Sequence, residues 1–301
     1  DVEHVMRQLL AAEITGRIPV VYWGMDSMYS ESIGTNAYEL FFKPVSSVSI
    51  REVVNPNFSY YPPIWNYGNV LTEDPDKLRW KYRDPASMIT SDADVVVSDV
   101  HNPITSIIPW IPQTHPMFGK SPHQIYRYLY GTYLATKPEV DKKVQHFIRT
   151  HPYFRDEKPI IAAHVRGKAL VHEANQLYSA NDFYHPNIWR LLTNSGARHL
   201  FLITDSKHIE REYKKLYTFN DVLIVSNSRK RLFHGPIRQC NTNYPNKRHK
   251  GVELIQDTLD TIKDTYLALQ CDFFIGNGYS SLSNTVLRLK DWPESNIKLV
   301  Y

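Results

Sequence analysis

Three cationic side chains follow a short apolar run near the middle of the chain. The run Ile160–Val165 is short and almost wholly apolar, which predicts a strand buried on both faces of a parallel sheet. His164, Arg166 and Lys168 then stand at its carboxyl end, where open α/β sheets bind ligands. Arg166 offers a planar set of donors that suits phosphate oxygens, and Lys168 adds a point charge. We therefore hypothesise a diphosphate site; taken alone, a solvated rim of surface cations explains these residues equally well.

A second predicted strand, His199–Thr204, also ends in polar residues. Asp205 and Ser206 follow it directly and precede the predicted helix Lys207–Leu216. The Asp205 carboxylate is suited to accept hydrogen bonds from a base or a ribose. A role as the helix N-cap explains it equally well.

A third predicted strand leads into glycines and hydroxyls. The flexible Gly276 and Gly278 precede Ser280 and Ser281, where a helix is predicted to begin. Backbone donors and the helix dipole make such a start a site for anions. The third glycine of the dinucleotide-binding fingerprint is missing, so that fingerprint does not apply.

Two carboxylates are candidates for further roles in the same region. Asp264 lies inside the predicted helix Val252–Leu269. If its carboxylate is turned into the sheet, we expect it to contact Arg166 or a nucleotide. The competing interpretation is that Lys263 is a plain surface partner of this carboxylate. Glu173 lies beyond the first strand and is a candidate general base for an acceptor hydroxyl. A loop carboxylate is nevertheless solvated far more often than catalytic.

Composition limits the classes of protein that this chain can belong to. Its 301 residues, 42% of them apolar, suffice for two domains, and the net charge of +4 comes from interleaved acidic and basic residues. That pattern is not the footprint of a nucleic-acid binder. Two cysteines provide neither a disulfide framework nor a cysteine-based metal site, and no apolar run approaches the ~18 residues of a membrane span. Few cysteines favour the cytoplasm, with the Golgi lumen as the alternative if an anchor lies upstream.

The order of predicted elements indicates an α/β fold with two domains. Residues 1–150 contain a helix over residues 2–13, a strand at Ile18–Trp23, a turn-rich region and two helices up to Thr150. We expect this first domain to begin upstream of residue 1, because a preceding strand and turn are missing from its pattern. Residues 151–301 alternate strands and helices regularly, which predicts a parallel sheet covered on both faces.

Three segments together resemble motifs of the fucosyltransferase superfamily, and most closely those of the α-1,6-fucosyltransferases. They are His164-Val-Arg-Gly-Lys168, Ile203-Thr-Asp-Ser206, and the run from Lys263 to Ser281. The resemblance covers about residues 137 to 290 in collinear order. It implies a GT-B fold, in which two Rossmann-like domains face each other across a cleft, and an inverting transfer of L-fucose from GDP-fucose to a glycan hydroxyl. It also implies that no metal and no cofactor beyond this donor is needed.

The same resemblance implies roles for matching residues. Arg166 would bind the β-phosphate, with His164 and Lys168 lining the diphosphate site. The resemblance further places Asp205 by the guanine or ribose, matches Asp264 to a helix aspartate that contacts the nucleotide, and matches Ser281 to the serine of the final motif. Ser206 and Ser280 are further candidates for donor binding, whereas Glu173 corresponds only loosely to the proposed base.

Two departures from the family pattern leave the donor sugar open. Only Gly167 separates Arg166 from Lys168, where the family often has an acidic residue, and Leu282 follows the two serines in place of a polar residue. Two other hypotheses therefore stand beside fucosyl transfer: the same fold with another nucleotide sugar, and a non-catalytic module that binds a glycan or a nucleotide. The acceptor would bind to the first domain, which is rich in aromatic residues. Candidate acceptor contacts are Trp23, Tyr60, Tyr61 and Trp65, although packing in the core explains these side chains equally well.

Overall fold

The chain forms two compact units in a computed structural model that describes residues 2–24, 27, 29–30, 32–72, 84–99, 102–166, 180–218, 222–225 and 251–301. The first unit comprises the described part of Asp1–Lys137 together with residues 251–255. The second comprises the described parts of Pro138–Asn241 and Gln256–Tyr301.

The first unit is mainly helical. Its helices and two short strands are α1 Val2–Ile14, β1 Tyr60–Tyr61, α2 Pro85–Ile89, β2 Val95–Val96, α3 Ile104–Ile107 and α4 Pro122–Tyr133. Single turns of 3-10 helix occur at Ala37–Leu40, Ile50–Val53 and Ile108–Trp110. Helices α1 and α4 pack together, and Leu10 and Leu129 are fully buried. Strands β1 and β2 pair in parallel.

The prediction of a strand at Ile18–Trp23 is wrong. These residues have no regular secondary structure, although they are apolar and rich in β-branched side chains. Side chains anchor this segment instead. The Arg17 guanidinium donates to the Ala93 and Ser91 carbonyls at 2.8 and 2.6 Å, and Asn36 Oδ1 accepts from the Trp23 amide at 3.1 Å. A strand needs a neighbour with matching backbone groups, and periodicity within one segment does not reveal whether that neighbour exists.

The second unit alternates helices and strands. Its elements are α5 Pro138–Thr150, α6 Tyr153–Asp156, β3 Ile160–His164, α7 Tyr184–Ser195, β4 His199–Ile203, α8 Lys207–Leu216, β5 Leu223–Val225, α9 Gly251–Leu269, β6 Phe273–Asn277, α10 Ser281–Leu289 and β7 Ile297–Val300. The strands predicted at Ile160–Val165 and His199–Thr204 and the helices predicted at Lys207–Leu216 and Val252–Leu269 are confirmed to within one residue at each end, whereas α6 and β7 were not predicted. Helix α5, which the sequence interpretation included in residues 1–150, packs into the core of this unit.

The strands of the second unit form one parallel sheet with the order β5-β4-β3-β6-β7. Successive residues of β3 point to opposite faces, as a pleated strand requires. Ile161 and Ala163 pack with helices α7 and α8, whereas Ile160 and Ala162 pack with α5, α9 and α10. The predicted α/β class, with a parallel sheet covered on both faces, is therefore confirmed. None of the described helices is both long and apolar enough to span a bilayer.

Candidate functional site

The strand order creates a crevice at one edge of the sheet. From the central strand β3 the chain moves outward to β4 and β5, and it then returns to add β6 and β7 on the other side of β3. The helices after β3 and β6, α7 and α10, consequently cover opposite faces. Neighbouring strands whose connections leave on opposite sides open a crevice at their carboxyl ends, where α/β sheets bind ligands. The crevice between β3 and β6 is thus the candidate site.

His164 and Ser283 join the two sides of this crevice. His164 ends β3, and its Nδ1 lies 2.8 Å from Ser283 Oγ in α10. The same hydroxyl oxygen accepts the Asn277 amide at the end of β6, at 3.0 Å. When Ser283 donates its one proton to Nδ1, the neutral imidazole carries its own proton on Nε2. The last residues of both strands are therefore connected through one hydroxyl.

Burial keeps His164 uncharged. Removal from water, together with the charge of Arg166, lowers the pKa of His164 from its usual 6.5 to about 3. At neutral pH the imidazole donates or accepts hydrogen bonds without adding positive charge. The cationic charge predicted for this strand end therefore comes from Arg166 among the described residues.

The backbone that carries Arg166 is fixed at several points. The Tyr184 hydroxyl donates to the His164 carbonyl at 2.6 Å, and the Val165 amide donates to the Ile203 carbonyl at 2.9 Å. Asn181 Nδ2 donates to the Arg166 carbonyl at 3.2 Å. The partly exposed Arg166 side chain thus projects from an ordered strand end. The predicted residues Lys168 and Glu173 lie outside the described residues.

The turn between β6 and α10 is built by close packing. Ser280, which is 2% exposed, is the N-cap residue, and the exposed Ser281 begins the helix. The Ser280 side chain makes no capping bond to the first turn in the part of the chain that the structure describes. The first turn of α10 therefore lacks a cap from the Ser280 side chain.

Gly276 and Gly278, which precede this turn, do not adopt a backbone conformation that only glycine allows. Neither has a positive φ. A Cβ on Gly276 would lie 2.6 Å from both Ser283 Oγ and a ring carbon of Phe274, and one on Gly278 would overlap the Tyr301 ring. The sequence interpretation of flexible glycines was wrong at this point. Glycine is needed at position 276 because Ser283 of α10 approaches the end of β6 closely, whereas the neighbour of Gly278 is the exposed Tyr301 ring after β7.

The N-cap role proposed for Asp205 belongs to its neighbour. Ser206 is the N-cap residue of α8, and its Oγ accepts the Ile209 amide at 3.4 Å. Thr204 Oγ1 in turn accepts the Ser206 amide at 3.2 Å. Asp205 is half-buried at the carboxyl end of β4, beside the end of β3.

Asp264 and Lys263 are both buried, at 4% and 8% exposure. Asp264 precedes Leu267 and Ala268 by one turn, on the face of α9 that packs against the sheet. Lys263 Nζ lies 3.4 Å from Asp264 Oδ1. The interpretation of Lys263 as a plain surface partner is therefore wrong.

The aromatic candidates of the first unit take part in packing. Trp65 is buried, and its Nε1 donates to Asp99 at 2.9 Å, while the Tyr60 hydroxyl donates to the Val53 carbonyl at 2.6 Å. Trp23 lies in an aromatic cluster, edge-on to Tyr38 at 5.2 Å. These contacts favour the interpretation as core for Trp23, Tyr60 and Trp65.

Sequence reasoning missed two residues that hold the site together. Ser283 was not singled out, although a small polar residue on the buried face of α10, close behind two serines, was a usable signal. Tyr184 gave no signal, because its hydroxyl acts on a backbone carbonyl twenty residues away. Among the described residues, no group of three or more His, Cys, Asp or Glu side chains could hold a metal ion.

The second unit belongs to the class of open, parallel α/β folds with a ligand crevice where the strand order reverses. The whole chain resembles solved fucosyltransferases. NodZ from Bradyrhizobium superposes with a TM-score of 0.56 at 16% sequence identity, over 93% of this chain and 85% of that chain. A NodZ alpha-1,6-fucosyltransferase soaked with GDP-fucose gives 0.59 at 16% identity, over 98% and 91%.

POFUT1 in complex with GDP-fucose is a more distant neighbour. Its TM-score is 0.51 at 13% identity, over 99% of this chain and 93% of that chain. No protein-family model matches the sequence, and no curated protein matches it. The resemblance to the fucosyltransferase superfamily that the sequence motifs predicted is thus confirmed at the level of the fold. Activity depends on side chains at the site.

Proposed function

We propose that this protein is an inverting, metal-independent glycosyltransferase that moves L-fucose from GDP-fucose to a hydroxyl of a glycan. The observation that carries the proposal is the crevice between β3 and β6. There Arg166 follows one strand, the start of α10 follows the other, and Ser283 bridges the two sides. The solved neighbours that share this fold include fucosyltransferases soaked with or bound to GDP-fucose, which supports this donor.

The diphosphate binds between a cation and a helix start in this proposal. The Arg166 guanidinium forms charge-assisted hydrogen bonds to the β-phosphate, and the start of α10, at Ser280 and Ser281, binds the remaining oxygens. Neutral His164 contributes a hydrogen bond and no charge. Lys168 adds the second cation and so stabilises the negative charge that develops on the departing diphosphate.

The nucleoside and the acceptor complete the reaction. Asp205 and Ser206, beyond β4, together with Asp264 of α9, bind the base and ribose in this proposal. Inversion requires a base on the side of the sugar opposite the leaving group, and Glu173 takes the proton of the acceptor hydroxyl.

The remaining parts of the proposal concern the whole chain. In this proposal the two units are the domains of a GT-B enzyme facing a cleft: the mainly helical first unit lies on the acceptor side, and the second is the Rossmann-like domain that binds the nucleotide sugar. We further propose a cytoplasmic location.

Calorimetric titration tests this function directly. GDP, GDP-fucose, GDP-mannose and UDP-sugars are titrated into the wild type and Arg166→Ala, with EDTA present throughout. We expect GDP and GDP-fucose to bind without metal, and Arg166→Ala to weaken both at least about tenfold, because charge-assisted hydrogen bonds to phosphate are lost. Arg155→Ala is the matched control, since Arg155 is exposed and paired with the adjacent Asp156. It should bind like the wild type.

Other outcomes separate the competing functions. A preference for uridine nucleotides, or no GDP binding, would rule out the fucosyltransferase assignment. GDP-fucose that binds tightly but is neither transferred nor hydrolysed over a panel of glycans would indicate a non-catalytic module.

A further inference from the structure

A cavity with a basic lining lies between helices α5 and α9. We call it the basic pocket. Its volume is about 370 Å³, and it is lined by Lys142, Lys143, His146, Phe147, Thr150, His151, Asp260 and Lys263. Both helices lead into the amino ends of strands, α5 through α6 into β3 and α9 into β6, whereas the donor crevice lies at the carboxyl ends. None of the residues that line the basic pocket is among those proposed to bind the donor.

Positive charge exceeds negative charge in this lining. Three lysines face one carboxylate, Asp260. That carboxylate is already engaged, because its Oδ1 lies 3.1 Å from Lys143 Nζ and 3.2 Å from Gln256 Nε2. The charges of Lys142 and Lys263 are thus not compensated within the lining.

Lys263 is the residue that points to a ligand. Its side chain is buried against the Phe147 ring, with Nζ 5.8 Å from the ring centroid. An ammonium carries three donors and needs partners at about 2.7 to 3.2 Å when it leaves water. Within the described part of the chain, its one ionic partner is Asp264 at 3.4 Å, adjacent on the same helix. Burying a cation with so little compensation is costly unless an anion completes the site.

We propose that the basic pocket binds an anionic group of the phosphate or sulfate class, separately from the donor crevice. In this proposal Lys263 Nζ contacts the anion at the buried end of the pocket, and Lys142 contacts it from the exposed side of α5. The ligand is either free inorganic phosphate or sulfate, or the same group carried as an ester on a sugar. This proposal does not depend on the donor of the transferase reaction.

Thermal unfolding with anions at constant ionic strength tests the proposal. Sodium phosphate, sodium sulfate and a sulfated disaccharide are each compared with sodium chloride. A ligand that binds only the folded state raises the melting temperature. We expect a rise with at least one probe, and about tenfold weaker apparent binding in Lys263→Met and in Lys142→Gln, because each removes a charged donor. A response to the disaccharide that exceeds both free anions would identify the ester as the ligand.

Two further variants decide where the anion binds. Lys215→Gln removes one charge from α8, which packs on the opposite face of the sheet, and should respond like the wild type. Arg166→Ala should also retain the response. If Arg166→Ala abolishes it while Lys142→Gln and Lys263→Met keep it, the anion occupies the donor crevice and the proposal is wrong. An equal response in all variants, or none beyond chloride, overturns it as well. Lys142→Gln keeps the test decisive if Lys263→Met does not fold.

Discussion

At the scale of single residues, the site depends on polar groups that are buried and uncharged. The Ser283 hydroxyl accepts a hydrogen bond from the Asn277 amide and also contacts the His164 imidazole, so that one hydroxyl serves two buried polar groups. The imidazole stays neutral because the interior does not solvate a second positive charge beside Arg166. The positive charge next to the crevice is therefore concentrated on the more exposed guanidinium, which is the better partner for a phosphate.

This neutrality predicts how stability depends on pH. The imidazole titrates near 6.5 when unfolded and at about 3 when folded, so between these values the unfolded state binds more protons. The contribution of neutral His164 is complete above about pH 6.5. Below that pH it is lost by up to about 1.4 kcal/mol per pH unit. His164→Asn keeps a polar atom facing Ser283 but does not titrate. We therefore expect the difference in unfolding free energy between wild type and variant to shrink from pH 7 to pH 5, as measured by urea denaturation.

A surface histidine provides the control for this measurement. His208 on α8 is exposed, so His208→Asn should leave the pH dependence of the wild type unchanged. A constant difference between wild type and His164→Asn over pH 7 to 5 would show that the folded protein protonates this imidazole.

At the scale of elements, the sequence predicts most of the second unit because its segments carry unambiguous local signals. Strand β3 is a short apolar run bounded by proline and glycine, and α8 follows a capping serine with apolar residues at helical spacing. The failures occur where structure depends on distant partners. The segment 18–23 has a strand-like composition but is held by Arg17 and Asn36 through side-chain bonds. Similarly, Gly276 and Gly278 alone do not predict that α10 approaches β6 closely.

Replacing Gly276 by alanine tests that close approach. The added Cβ would lie 2.6 Å from Ser283 Oγ and from the Phe274 ring, so the start of α10 must move away from β6. We expect a loss of about 1 to 3 kcal/mol in the free energy of unfolding, typical of an overpacked core, and weaker GDP binding. Gly131→Ala is the matched control, because its Cβ would meet nothing within 4 Å in the exposed face of α4. That variant should gain up to about 1 kcal/mol. If both variants lose a similar free energy of unfolding, the close approach of α10 is not the reason for glycine at position 276.

At the scale of the whole molecule, the site depends on the order of strands. His164 and Ser283 lie 119 residues apart in sequence and meet because β6 returns to the side of β3 that β4 leaves open. Alternating strands and helices predict a parallel sheet, but they do not say which strands are neighbours, because the same pattern fits several orders. The motifs named most of the crevice residues without this information. Their mutual contacts, and the bridging Ser283, required the fold.

Hydrogen exchange with and without GDP tests the proposal that the second unit, and not the first, binds the nucleotide. A nucleotide bound at the switch of strand order should slow exchange most at the end of β3, at the end of β6 and in the first turn of α10, because those amides lie at the crevice or bond the ligand directly. Helices α1 and α4 of the first unit should show the smallest change. Arg166→Ala should remove the protection at the same GDP concentration, since protection scales with occupancy. If GDP instead protects α1 and α4 more strongly, the nucleotide binds the first unit, and the roles proposed for the two units must be exchanged.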